Sequence, residues 1–159
     1  MRAGLVTVRY TSRWPYNPGS LLIGAASGSP ELLSHVMAII DGRAYEATMT
    51  HGCRAVPVEV AMKGIVRYQD MPVWVPDLDD AVKFGEAQDK KPYDFPGAIG
   101  LPLLQSEDWA DTGKWWCSEL VFALLMAGGT VLLDPDEAKR VTPNNLRQCN
   151  YPKLAMVAA

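Results

Sequence analysis

Apolar and polar positions alternate along Leu5-Val6-Thr7-Val8-Arg9-Tyr10, the pattern of a strand with one face buried. Trp14 to Gly19 is rich in turn formers, and the short apolar run Ser20 to Gly24 predicts a second strand. Ser34 to Ile40 predicts a third. Asp41-Gly42 follows as a strong hairpin signal, with Arg43 to Thr48 as the returning partner. A two-residue turn there makes Ile40 face Arg43, Met37 face Glu46 and His35 face Thr48. His35, Met37, Glu46 and Thr48 then share one side of the hairpin. His35 and Glu46 become diagonal neighbours about 7 Å apart, within reach of each other's side chains. Beyond a loop over Thr50 to Arg54, strands are expected at Ala55 to Val60 and Gly64 to Tyr68. Met71 to Pro76 is a proline-bounded extended piece suited to a sheet edge.

Helical signals dominate the second half. Asp77 can cap a helix over Leu78 to Gln88, with Asp79 and Asp80 in its first turn. Asp89 to Ile99 is an aromatic loop that contains Tyr93 and Asp94. Gly100 to Thr112 shows no clear element beyond a short turn that Ser106 could cap. The apolar run from Ser118 to Met126 then predicts a buried helix that begins near Trp116 or Cys117 and stops at Gly128-Gly129. Pro135 to Arg140 predicts a short acidic helix. Thr142 and Pro143 are the cap and first residue of another, and the tail from Asn150 reads as irregular.

Composition narrows the class. A chain of 159 residues fits one domain, spanning 1–159, with a real core. A net charge of −3 with no Lys/Arg run gives no footprint for nucleic acid. The longest apolar run, Leu120 to Met126, is too short to span a membrane. Met1 to Tyr10 carries Arg2 near its start and then alternates like a strand, unlike a signal peptide, so cytoplasmic synthesis is expected. The three cysteines, Cys53, Cys117 and Cys149, are widely spaced with no Cys-x-x-Cys pair. That argues against a disulfide framework and a cysteine-rich zinc site, and for a reducing compartment.

Cys117 is the residue with chemical promise. At a helix start the unpaired N–H groups and the macrodipole favour a thiolate, although a free cysteine is more often a small core residue. A cysteine nucleophile needs a base and a group to orient that base. Only His35 and His51 are available; His35 shares its face with Glu46, whereas His51 sits in a loop beside Gly52. A metal grouping of His35, His51, Cys53 and Glu46 matches no common zinc spacing. Walker, Gly-x-Gly-x-x-Gly and Gly-x-Ser-x-Gly motifs are absent. The thiol chemistry calls for no metal or organic cofactor.

Ser34-His35-Val36, Tyr45-Glu46-Ala47, Lys91-Pro92-Tyr93-Asp94-Phe95, Trp116-Cys117-Ser118-Glu119-Leu120-Val121 and Thr142-Pro143-Asn144-Asn145-Leu146 together resemble the circularly permuted branch of the NlpC/P60 papain-like superfamily, with YiiX-like proteins the nearest group. The resemblance covers about Ser20 to Leu146, in the order of that branch, where the His strand precedes the Cys helix. It implies an α+β papain-like fold, with an antiparallel sheet packed against the Cys helix. It implies Cys117 as nucleophile, His35 as base and Glu46 as the orienting group. Tyr93 and Asp94 match a pair near the cleft, and Trp116 is a candidate wall of the substrate pocket. The implied activity is hydrolysis of an amide bond, often in cell-wall peptides, so the expected partner is a peptide or acyl substrate. Relatives act as thioesterases or lipid acyltransferases, which a hydrophobic channel beside Trp115 and Trp116 would favour. Phage genomes carry members too, and a non-catalytic virion module that keeps the fold is a third reading. Met37 departs from the usual small residue and is expected to narrow the cleft.

Overall fold

The structure is a computed structural model that describes residues 2–13, 32–94, 113–134 and 141–159. Its elements in chain order are β1 (Gly4–Ser12), β2 (His35–Ile40), β3 (Arg43–Thr48), β4 (Gly52–Pro57), α1 (Val58–Ala61), β5 (Arg67–Val75), α2 (Leu78–Ala87), α3 (Cys117–Ala127), α4 (Pro143–Gln148) and β6 (Val157–Ala158). The fold is α+β. One six-stranded sheet has the order β4-β3-β2-β1-β5-β6, and every neighbouring pair is antiparallel. The strand expected at Ser20 to Gly24, the loop over Trp14 to Gly19, the Gly100 to Thr112 stretch and the helix at Pro135 to Arg140 lie outside the described residues. No described helix is long and apolar enough to cross a membrane.

Alternation decides which side of the sheet is covered. Val6, Val8 and Tyr10 of β1, Val36, Ala38 and Ile40 of β2, and Met71, Val73 and Val75 of β5 are all buried. They form one core with Leu78 and Ala81 of α2, Val121, Leu124 and Leu125 of α3, and Leu146 of α4. α3 is apolar around most of its circumference because it lies inside this layer, with Cys117, Ser118, Leu120, Val121, Phe122, Leu124 and Leu125 all buried. On the opposite face Met37 and Ala44 pack under Ala61 of α1. Arg9 forms a bidentate pair with Asp70, its cross-strand partner, and lies over the Tyr68 ring.

Caps match the chemistry of the sequence. The Asp77 carboxylate accepts from the N–H groups of Asp79 and Asp80 at the start of α2. At α4, Thr142 and Asn145 satisfy each other's backbone donors in a capping box, with Pro143 at the first helical position.

Four expectations are corrected. Gly52 to Arg54 is strand, not loop, because Cys53 and Arg54 pair with Ala47 and Glu46 of β3. Val58 to Ala61 is a helical turn, since the β3 pairing ends at Pro57 opposite Arg43. The two pieces expected around Gly64–Tyr68 and Met71–Pro76 are one strand from Arg67. Pro72 is tolerated there because, among the described residues, only β1 pairs with it, β6 reaching no further than Arg67 and Tyr68. The tail is irregular only in part, as Val157–Ala158 adds the sixth strand and Leu154 N–H donates to Asp70 O.

Gly52 opens β4 at φ +67°, and a Cβ there would stand 2.4 Å from the Lys91 carbonyl oxygen. That carbonyl accepts from Cys53 N–H, and Lys90 N–H donates to Cys53 O, so residues 90–91 lie directly against the strand. Gly42 has a similar φ of +77° with nothing within 4 Å of its virtual Cβ. We therefore expect Gly52→Ala to cost about 2–4 kcal/mol, from left-handed strain plus the backbone clash, and Gly42→Ala only about 1–2 kcal/mol. Urea midpoints of the two variants compare the effects directly; equal losses would contradict the close approach.

Candidate active site

The site begins with the β2–β3 turn. Asp41 (φ 49°) and Gly42 (φ 77°) both take positive φ, the requirement of the type I′ hairpin. Register is as expected for Ile40–Arg43, Ile39–Ala44 and Ala38–Tyr45, and the β2–β3 ladder ends there. Upstream, β2 continues against β1, with His35 opposite Thr11. Downstream, β3 continues against β4, with Glu46 opposite Arg54. The direct ladder pairs expected for Met37–Glu46 and His35–Thr48 are thus not formed, but the diagonal contact is. His35 Nε2 lies 2.7 Å from Glu46 Oε2.

Glu46 is fully buried, at 0% exposure. Its second oxygen, Oε1, accepts from Arg54 Nε at 2.8 Å and Nη2 at 2.6 Å. Burial alone would raise the carboxyl pKa. The hydrogen bonds and charges of His35 and Arg54 outweigh it and hold the group at about 2. His35 shows the converse balance. Burial pulls its pKa down, but hydrogen bonds to Cys117 and Glu46, with their negative charges, lift it to about 10. Arg54 was not anticipated as a site residue, and its signal was its place opposite an acid on a neighbouring strand, obscured by reading residues 50–54 as a loop.

Cys117 is the first residue of α3, after Trp116 in extended conformation as N-cap, and is 5% exposed. Three attachments fix the chain entering this helix. Trp115 donates its indole N–H to Gln88 Oε1 at 3.0 Å and stands edge-on to Phe84 at 5.9 Å. Its backbone pairs with the Tyr93 segment through Asp94 N–H to Trp115 O and Trp115 N–H to Pro92 O. One turn into the helix, Leu120 packs with Ala47 and Cys53. Ser118 donates its hydroxyl to Val141 O, which commits that side chain to the helix's packing.

A cleft of about 190 Å³ opens beside His35, bordered also by Arg13, Thr48, His51, Arg54 and Tyr93. Tyr93 borders this cleft, and its phenol pKa is pushed up by burial and by charge at Cys117 and Asp94. Asp94 is buried. Trp116 is buried as well and does not border the described cleft, and its indole N–H has no partner among the described residues. Met37 does not border the described cleft; it packs with Ala44 and Ala61 further along the same face of the sheet. His51 bonds the Thr50 hydroxyl. Cys53 lies on the face of the sheet opposite to Glu46, and burial drives its thiol up to about 11. The grouping of His35, His51, Cys53 and Glu46 is consequently not assembled, and no three metal-ligating side chains converge among the described residues. Cys149 rests against Met71 Sδ.

No protein-family model matches this chain, and no curated protein matches it.

The two pKa displacements fix a pH signature. The raised His35 value makes its protonated form contribute stability fully below about 6.5, with loss as pH climbs towards 10. The lowered Glu46 value contributes fully above about 4.5, with loss as pH falls towards 2. Denaturant midpoints should accordingly peak between about pH 4.5 and 6.5. Glu46→Gln should cost about 3–5 kcal/mol within that window, by leaving Arg54 and His35 without their counter-charge, and less at pH 9. A Glu46→Gln penalty unchanged from pH 5 to pH 9 would contradict the ion pair.

Proposed function

We propose that the protein is a cysteine hydrolase of papain-like type that cleaves an amide bond through Cys117, His35 and Glu46. The observation that carries this reading is the His35 imidazole bound to a buried carboxylate, with its pKa raised by the neighbouring Cys117 at a helix N-terminus. The motif order that resembles permuted NlpC/P60 domains agrees with it, as does an α+β architecture whose antiparallel sheet packs on the Cys117 helix.

In this mechanism the thiol proton resides on His35 and the Cys117 thiolate attacks the substrate carbonyl. The Cys117 N–H, which the helix itself leaves without a partner, donates to the developing oxyanion. His35 then delivers its proton to the leaving amine as the tetrahedral species collapses to a thioester. Water attacks the thioester while His35 takes the water's proton, and the carboxylic acid leaves as thiolate and imidazolium are restored. Glu46 keeps the ring oriented and matches its charge throughout. A compact polar acyl group suits the described cleft better than a long hydrocarbon chain, because neither Trp115 nor Trp116 borders it. Peptide amides, including cell-wall peptides, fit that description.

Labelling with a small alkylating reagent at pH 6 tests the reading, since a free thiol of ordinary pKa about 8.5 is almost wholly protonated there. Cys117 should react at least tenfold faster than Cys53 and Cys149, and His35→Ala should abolish the difference. On a responsive amide substrate, His35→Ala should lower kcat by about 10²–10⁴-fold. Equal reactivity of all three thiols, indifferent to His35, would refute the assignment.

A further inference from the structure

Two cross-strand ion pairs of the sheet are built differently. Arg9 and Asp70 face each other on β1 and β5, and Arg9 spreads its fork over both carboxylate oxygens, Nε to Oδ1 and Nη2 to Oδ2. Arg54 and Glu46 face each other on β4 and β3, but Nε and Nη2 of Arg54 both converge on Oε1. A guanidinium fork matches a carboxylate best with one N–H on each oxygen, so this one-sided grip departs from the favoured geometry. The oxygen left out, Oε2, is the one that lies 2.7 Å from His35 Nε2. The Glu46 side chain has no exposure and that of Arg54 only 18%, so water does little to screen the three groups from one another.

We infer that Arg54 is a positioning residue of the hydrolytic site: it holds Glu46 by one oxygen, presents the other to His35 alone, and shares the carboxylate's charge so that the imidazolium can release its proton. The inference rests on the hydrolase reading above, in which His35 hands a proton to the leaving amine. A buried carboxylate with His35 as its sole partner would grip that proton more tightly, because a second cation on a carboxylate weakens its pull on the first. Arginine suits the task because its guanidinium stays charged across the working pH range. The charges acting on Glu46 are those of His35 and Arg54, and those acting on His35 are Glu46 and Cys117. Arg13, His51 and Tyr93 border the cleft beside them.

The test is the titration of the His35 ring by NMR in Arg54→Gln, made in the Cys117→Ala background so that the charge of the thiol is absent and the midpoint falls in an accessible range. The ring should titrate about 1 pH unit higher than in Cys117→Ala alone, and Arg54→Lys, which keeps the charge, should return it most of the way. A merely structural Arg54 predicts the opposite sign, since a loosened Glu46 would let the value fall. Arg9→Gln, which removes a part-buried ion pair outside the site, should leave the ring unchanged; an equal shift there overturns the inference. On a responsive amide substrate, with Cys117 in place, Arg54→Gln should lower kcat about tenfold and leave KM within about twofold. The coupling is also readable without a variant, so the test stands even where Arg54→Gln does not fold. In the wild type the Arg54 Nε–H resonance should shift with the same midpoint as the His35 ring. A His35 value unchanged or lowered in Arg54→Gln, or an Arg54 resonance blind to the His35 titration, overturns the inference and leaves the hydrolase reading standing. A His35 ring that titrates near the ordinary value of about 6.5 in the wild type overturns both.

Discussion

A carboxylate with no solvent exposure is tolerable only if its charge is met inside the protein, and the site of this protein is arranged around that demand. Glu46 accepts two hydrogen bonds from Arg54 on one oxygen and one contact from His35 on the other. Breaking such a buried arrangement by removing one member leaves the others uncompensated, which is far costlier than losing a surface ion pair. The same interaction that makes Glu46 affordable in the interior fixes the imidazole and favours its charged form. Stability and chemistry are therefore coupled through one carboxylate.

The sheet delivers these groups from three strands. β2 supplies His35, β3 Glu46 and β4 Arg54, while α3 brings Cys117 from the helical layer. The end of the β2–β3 ladder at Ala38–Tyr45 lies just before the point where the His–Glu contact is made. From there each strand remains supported by its outer neighbour, so the site sits at a junction held from both sides. The Tyr93 segment, joined to Trp115 and to β4 by backbone hydrogen bonds, closes the arrangement around the start of α3.

Much of this was legible where local rules govern. Asp41-Gly42 demanded positive φ at two successive residues, so the hairpin register and the His35–Glu46 proximity followed from the turn alone. Asp77 and Thr142 signalled their helices by capping chemistry, and Gly128-Gly129 marked the end of α3. What was hidden depends on distant partners. Arg54 looks like a loop residue until β4 is set against β3, and Pro72 looks like a strand boundary until one side of β5 is seen to have no strand partner there among the described residues. Val58, Glu59 and Val60 have the composition of a strand and form a helical turn because the β3 partner has run out at Arg43. Trp116 reads equally well as a pocket wall or as a buried cap, and only the packing decides for burial.

The central claim is that Glu46 and Cys117 together hold His35 as an imidazolium at neutral pH. Titration of the His35 ring by NMR measures this directly. The account predicts that His35 stays protonated through neutrality and titrates near 10. It also predicts that the value falls substantially in Glu46→Gln and in Cys117→Ala, each of which removes one of the groups that raise it. A His35 ring that titrates near the ordinary 6.5 in the wild type, and does not respond to either substitution, would contradict the account at its foundation.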